Sequence, residues 1–99
     1  MADVTVGLLV RIEAKEGKAD DVAAFLAQAV GLAEQEPGTA DWFAIRIGPS
    51  TFGVFDTFAD DAGRQAHLSG EIASALMTAV GDLVEAPVIE PVEVLARKG

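Results

Sequence analysis

The sequence changes period along its length, and the order of those changes restricts the fold more than any other property. From Val4 to Glu13 apolar residues fall at Val4, Val6, Leu8, Val10 and Ile12, the two-residue period of a strand. Past Gly17-Lys18, Asp20 and Asp21 suit a helix start, and Val22, Phe25, Leu26, Ala29, Leu32 and Ala33 then recur at helical spacing. Pro37-Gly38 forces that helix to stop by Glu36. Alternation returns from Thr39 to Ile47, with Thr39, Asp41, Phe43, Ile45 and Ile47 opposite Ala40, Trp42, Ala44 and Arg46, and again from Thr51 to Phe58. Gly48-Pro49-Ser50 is a turn between these two runs, which makes them an antiparallel hairpin. Asp60-Asp61 caps a short helix from Ala62 to Leu68. Ser69 is read as the N-cap of a further run in which Ile72, Leu76, Met77, Val80, Leu83 and Val84 share one stripe. A last alternating segment, Val88 to Ala96, contains Pro91 and therefore belongs at a sheet edge or bulge, ahead of a polar Arg97-Lys98-Gly99 tail.

The resulting order, β-α-β-β-α-β with the second helix broken, is the ferredoxin-like α+β arrangement: a four-stranded antiparallel sheet with its helices on one face. The other face should be polar if it met water, yet Leu9, Trp42 and Phe55 lie opposite the main apolar rows of their strands. Two such sheets pairing face to face would hide on the order of several hundred Å² of apolar surface per chain, at roughly 25 cal/mol per Å² before association costs. The expectation is a homodimer. Residues 1–99 are too few for more than one core, so a single domain is expected.

Composition removes several functions. There is no cysteine and one histidine, which leaves no thiolate zinc site, no thiol catalysis and no multi-histidine metal site in one chain. The net charge of −9 repels a phosphate backbone, so neither nucleic acid nor an anionic membrane is expected as a partner. No apolar run approaches a membrane span, and Met1–Asp3 carries no basic leader, so a cytoplasmic protein is expected.

Val10-Arg11-Ile12 at the end of the first strand, the turn Glu36-Pro37-Gly38-Thr39, the run Phe55-Asp56-Thr57-Phe58-Ala59-Asp60, and Arg64-Gln65-Ala66-His67-Leu68-Ser69 together resemble the antibiotic biosynthesis monooxygenase domain family. The resemblance covers nearly the whole chain and implies ferredoxin-like protomers paired through their sheets into a dimeric α+β barrel. It implies a pocket between helices and sheet, and oxygenases that use no metal or flavin. A family of this kind also includes haem-degrading and signal-processing members, so the fold alone does not fix the reaction. The chain lacks asparagine and tyrosine, and Trp42 lies on a strand, which argues against the haem-degrading branch.

His67 is the only side chain with an ordinary pKa near neutrality and is the candidate base toward a phenol or hydroquinone; the alternative is a helix-end histidine bonded to the backbone. Trp42 is a candidate stacking wall for a planar substrate, or else packs in the dimer interface. Arg46 could stabilise an oxyanion or pair with a carboxylate. Asp56, set among Phe52, Val54 and Phe58, is a half-buried carboxylate that needs Arg46 or His67 as a partner, unless it is functional itself. Phe25, Leu26, Phe43, Phe52, Phe58, Leu76 and Met77 are read as core, with Phe52 and Met77 as candidate pocket lining. The expected ligand is a small aromatic or hydrophobic molecule, handled without a tightly bound cofactor. Oxygenation, binding without turnover, and isomerase-type or signal-processing chemistry all fit such a pocket.

Overall fold

The computed structural model describes residues 4–98. The reading of Met1–Asp3 as leaderless therefore lies outside the described residues. Seven elements follow one another: β1 (Val6–Glu13), α1 (Ala19–Ala33), β2 (Thr39–Arg46), β3 (Thr51–Phe58), α2 (Asp61–Leu68), α3 (Glu71–Ala79) and β4 (Val88–Glu93). The sheet is antiparallel in the order β2-β3-β1-β4, so β2 and β4 are its edges. This is the ferredoxin-like arrangement that the alternating periods predict. No helix among the described residues is long and apolar enough to cross a membrane.

Helix-facing positions come from every strand. Leu8, Val10 and Ile12 stand beside Phe52, Val54, Asp56 and Phe58, and Val22 and Leu26 of α1 pack onto them; Ile12, Val22 and Phe58 are fully buried. Asp20 and Asp21 fall in the first turn of α1, where carboxylates oppose the positive helix end. Asp60 caps α2 by accepting the Gly63 N–H at 3.0 Å.

Three expectations change. Ser69 closes α2 instead of opening α3, whose N-cap is Gly70. The apolar stripe through Val80, Leu83 and Val84 is not one helix, because α3 stops at Ala79 and Gly81 takes φ +100°, a left-handed turn that helical geometry excludes. Val84 instead bridges to Ala14 and is buried as part of the core.

The third change concerns β2. Trp42, Ala44 and Arg46 are paired with Asp56, Val54 and Phe52 and so share the helix side, whereas Phe43 and Ile45 face the open side and are 56% and 47% exposed. The more apolar row of β2 therefore faces away from the helices, and Phe43 is not core. The open face is apolar as anticipated, but Leu9, Phe43, Ile45, Phe55 and Val88 make it so, without Trp42. After β4 the chain bends over one end of this face: Val94 N–H donates to the Thr5 carbonyl, and Arg97 pairs with Asp41 at 2.9 Å. Pro91 sits in β4 opposite Leu8, and the pairing of β2 shifts register between Thr39 and Asp41.

Candidate functional site

Three acidic or basic side chains, from α2, β3 and the turn between α1 and β2, meet in a row. His67 lies in the last turn of α2, a position fixed by the Asp60 cap seven residues earlier and favourable to an imidazolium because it is the negative end of the helix. Asp56 lies on the inner face of β3, flanked in register by Leu8 and Trp42, and is fully buried. Glu36 follows α1, just before Pro37-Gly38. The Nδ1 of His67 is 2.6 Å from Glu36 Oε1, and its Nε2 is 3.0 Å from Asp56 Oδ2.

The two contacts differ in kind. The Nδ1 contact has hydrogen-bond geometry, and Glu36 Oε1 also accepts the Thr39 hydroxyl at 2.8 Å. The Nε2 contact is close enough for an ion pair but lies off the hydrogen-bond axis, and neither Asp56 oxygen has a hydrogen-bond partner among the described residues. Burial alone would push the His67 pKa down; contact with Asp56 and Glu36, and their negative charge, outweigh it and hold the pKa above the ordinary histidine value. The Phe58 ring, 5.3 Å away and tilted, packs on the imidazole.

His67 separates two spaces. Inside, between sheet and helices, is an apolar cavity of about 120 Å³ whose walls include Leu8, Phe25, Trp42, Val54, Ile72 and Leu76. For scale, an apolar cavity of about 150 Å³ admits benzene. Leu68, Met77 and Ile89 line it too and are exposed, so its mouth lies between the helical layer and β4. On the other side of His67 a more open cleft of about 340 Å³ is bordered by Glu36, Pro37, Gly38, Thr39, Gly70 and Glu71. The indole Nε1 of Trp42 is buried and has no acceptor among the described residues. A buried N–H without an acceptor is uncommon, and beside a cavity it is a ready donor for a ligand oxygen.

The sequence-derived candidates divide accordingly. His67 and Trp42 line the inner cavity, Asp56 adjoins both, and Met77 stands at the mouth rather than in the core. Asp56 has His67, not Arg46, as its partner. Arg46 is at the far end of β2, with its guanidinium 4.8 Å above the Phe52 ring. Phe52 is buried core and does not line the cavity with His67; it and Arg46 border a separate groove against α1. Trp42 points toward the helices and lines the cavity there, so it is not packing on the open face of the sheet. Glu36 was missed as a site residue. Its only signal in the sequence is a glutamate three residues before a threonine at a Pro-Gly turn, which reads as a helix stop.

No family model and no curated protein matches the sequence. Among solved structures, NE2512 from Nitrosomonas europaea, described as a protein of unknown function, shares 55% identity with a TM-score of 0.95, over 99% of this chain and 96% of that one. This chain belongs to the NE2512 family. Another Nitrosomonas europaea structure, called a "putative antibiotic biosynthesis monooxygenase", superposes with a TM-score of 0.82 at 15% identity, over 96% of this chain and 94% of that one. A Chloroflexus aurantiacus protein given the same description has a TM-score of 0.75 at 17% identity, covering 96% and 97% of the two chains. The NE2512 family thus has the antibiotic biosynthesis monooxygenase-like fold, in agreement with the resemblance carried by the sequence.

Proposed function

We propose that this chain is a cofactor-independent monooxygenase acting on a small single-ring phenol or hydroquinone. The observation that carries the reading is the inner cavity, which at about 120 Å³ is slightly smaller than one that admits benzene but opens at its mouth, and whose lining includes His67 and Trp42, the indole N–H of which has no acceptor among the described residues. The ring would lie among Leu8, Phe25, Val54 and Leu76, with its hydroxyl at the polar end. Trp42 Nε1–H donates to the hydroxyl oxygen, and neutral His67 takes the hydroxyl proton at Nε2. The phenolate passes one electron to dioxygen, and the resulting superoxide and ring radical combine at a ring carbon that bears hydrogen, para to the hydroxyl of a phenol or ortho to that of a hydroquinone. The imidazolium returns its proton to the peroxide. The ring C–H proton and the distal oxygen then leave as water while the O–O bond breaks, so that phenol plus dioxygen gives quinone plus water. The carboxylates beside His67 stabilise its charged form between the two proton transfers.

Oxygen-electrode assays with a panel of phenols and hydroquinones test this reading. Stoichiometric dioxygen uptake that largely disappears in His67→Ala is expected, and full activity in that variant removes His67 from the mechanism. A second reading, a module that binds without turnover, is favoured by the fact that both ring nitrogens already face carboxylates, as in a structural ion-pair network. Ligand binding with no dioxygen uptake would select it. The same proposal includes a homodimer formed through the open sheet face, supported by the exposure of Leu9, Phe43, Ile45 and Val88 on that side.

A further inference from the structure

We infer that Glu36 is a positioning residue: from the outer cleft it fixes which nitrogen of His67 carries the proton and so leaves Nε2, on the Asp56 side of the ring, as the basic nitrogen of a residue that lines the cavity. The role in turnover rests on the monooxygenase reading above; the role in setting the state of His67 does not. Its basis is an assembly of close contacts in which each part has one evident use.

The turn after α1 reaches α2 through two glycines. A Cβ on Gly63 would lie 3.1 Å from the Gly38 carbonyl oxygen, and one on Gly38 would lie 3.3 Å from Gly63 Cα. Side chains at these positions would hold the turn away from α2, and with it Glu36 away from His67. A third glycine completes the seat, since a Cβ on Gly70 would come within 2.8 Å of Glu36 Oε2. The Thr39 hydroxyl then anchors Oε1, leaving that oxygen 2.6 Å from Nδ1. A carboxylate so held accepts, which requires the proton on Nδ1 and leaves Nε2 of the neutral ring as the lone-pair nitrogen. Asp56 competes for the proton from the Nε2 side at 3.0 Å, but that contact lacks the hydrogen-bond alignment that the shorter Glu36 contact has. Among the described residues, Asp56 from β3 and Glu36 from the α1–β2 turn are the charged groups in contact with His67; Glu71 of α3 borders the same cleft, and Arg64 of α2 is engaged with Asp61.

The chain has one histidine, so imidazole ¹⁵N and ¹³C shifts followed through a pH titration report it without ambiguity. In Glu36→Gln the His67 pKa should fall and the neutral ring should shift toward Nε2–H, because the amide can donate to Nδ1. Gly70→Ala, which keeps the carboxylate and crowds it, should lower the pKa in the same direction and covers the case in which Glu36→Gln fails to fold. Phenol oxidation should fall by about 10²–10⁴-fold in Glu36→Gln, the upper figure being the loss when an orienting carboxylate is replaced and the wrong tautomer results. Formate should restore part of the rate to Glu36→Ala through the open cleft, and none to His67→Ala. An unchanged His67 pKa and tautomer in Glu36→Gln overturns the inference, whatever the activity. Shifted NMR parameters in a protein that oxidises no phenol would uphold Glu36 and sink the monooxygenase reading; a dead His67→Ala beside a fully active Glu36→Gln with unshifted parameters would do the reverse.

Discussion

Replacing Asp56 by valine should alter stability with a size and sign that depend on pH. The wild-type carboxylate is fully buried, accepts no hydrogen bond among the described residues, and has His67 as its partner. Because the folded-state pKa of His67 is raised, its pairing stabilises the fold fully below the unfolded value near 6.5 and loses that contribution as pH rises through the folded value. Valine suits a strand, and it removes both the charge and the two oxygens without donors. Between pH 6 and pH 9 the wild type should therefore lose stability relative to Asp56→Val, by about 1.4 kcal/mol for each unit by which Asp56 raises the His67 pKa. Above the folded pKa of His67 the wild type buries two carboxyl oxygens that accept no hydrogen bond among the described residues, and the variant should be the more stable by roughly 1–3 kcal/mol. Urea unfolding at fixed protein concentration, at both pH values, measures the difference, and a shift of 1 kcal/mol corresponds to roughly 4–8 °C in Tm for a domain of this size. Other titrating groups, including Glu13 and Asp41 with their lowered pKa values, act equally in both proteins and cancel. Parallel stability curves across this range would refute the assignment of His67 and Asp56 as a coupled pair.

Three further outcomes are expected. Trp42→Phe keeps the ring but removes the N–H, so phenol binding should weaken by up to about tenfold, the value of one neutral hydrogen bond, while the stability of the free protein stays level or rises; calorimetric titration and thermal melts check both. Arg46→Ala should leave phenol binding unchanged, since Arg46 stacks on Phe52 at the far end of β2, and a loss of binding would place the ligand elsewhere. Ile45→Glu should convert a dimer to a monomer in sedimentation experiments, and a wild-type protein that is already monomeric at micromolar concentration would remove the face-to-face pairing.

Most of the fold was legible because each period is a local property. Alternation in β1 and β3 and the helical stripe of α1 report directly which side chains meet the core. Besides the Ser69 cap and the stripe that runs past the end of α3, strand β2 departed from the expectation. Its more apolar row, Phe43 and Ile45, is the outward one, and a rule that sends the apolar row to the helices fails when both faces of a strand carry apolar residues. That inversion also misplaced Trp42. Within the site, Asp56 was legible as a carboxylate in an apolar row that needs a partner, and His67 as the only histidine. Glu36 was not, since its role depends on a contact 31 residues away and on three glycines whose use appears only when backbones approach.

The two edges of the sheet carry a consequence for how copies of this chain can meet. A regular edge strand offers a ladder of free amides and carbonyls on which another strand can grow without limit, the route to fibres. Here β4 contains Pro91, which has no amide to offer, and β2 is interrupted by its register shift at Thr39–Asp41. Growth strand upon strand is thus blunted at both ends, while the sticky apolar surface lies flat on one side. Contact through a flat side consumes that side once, so an assembly built this way is self-limiting.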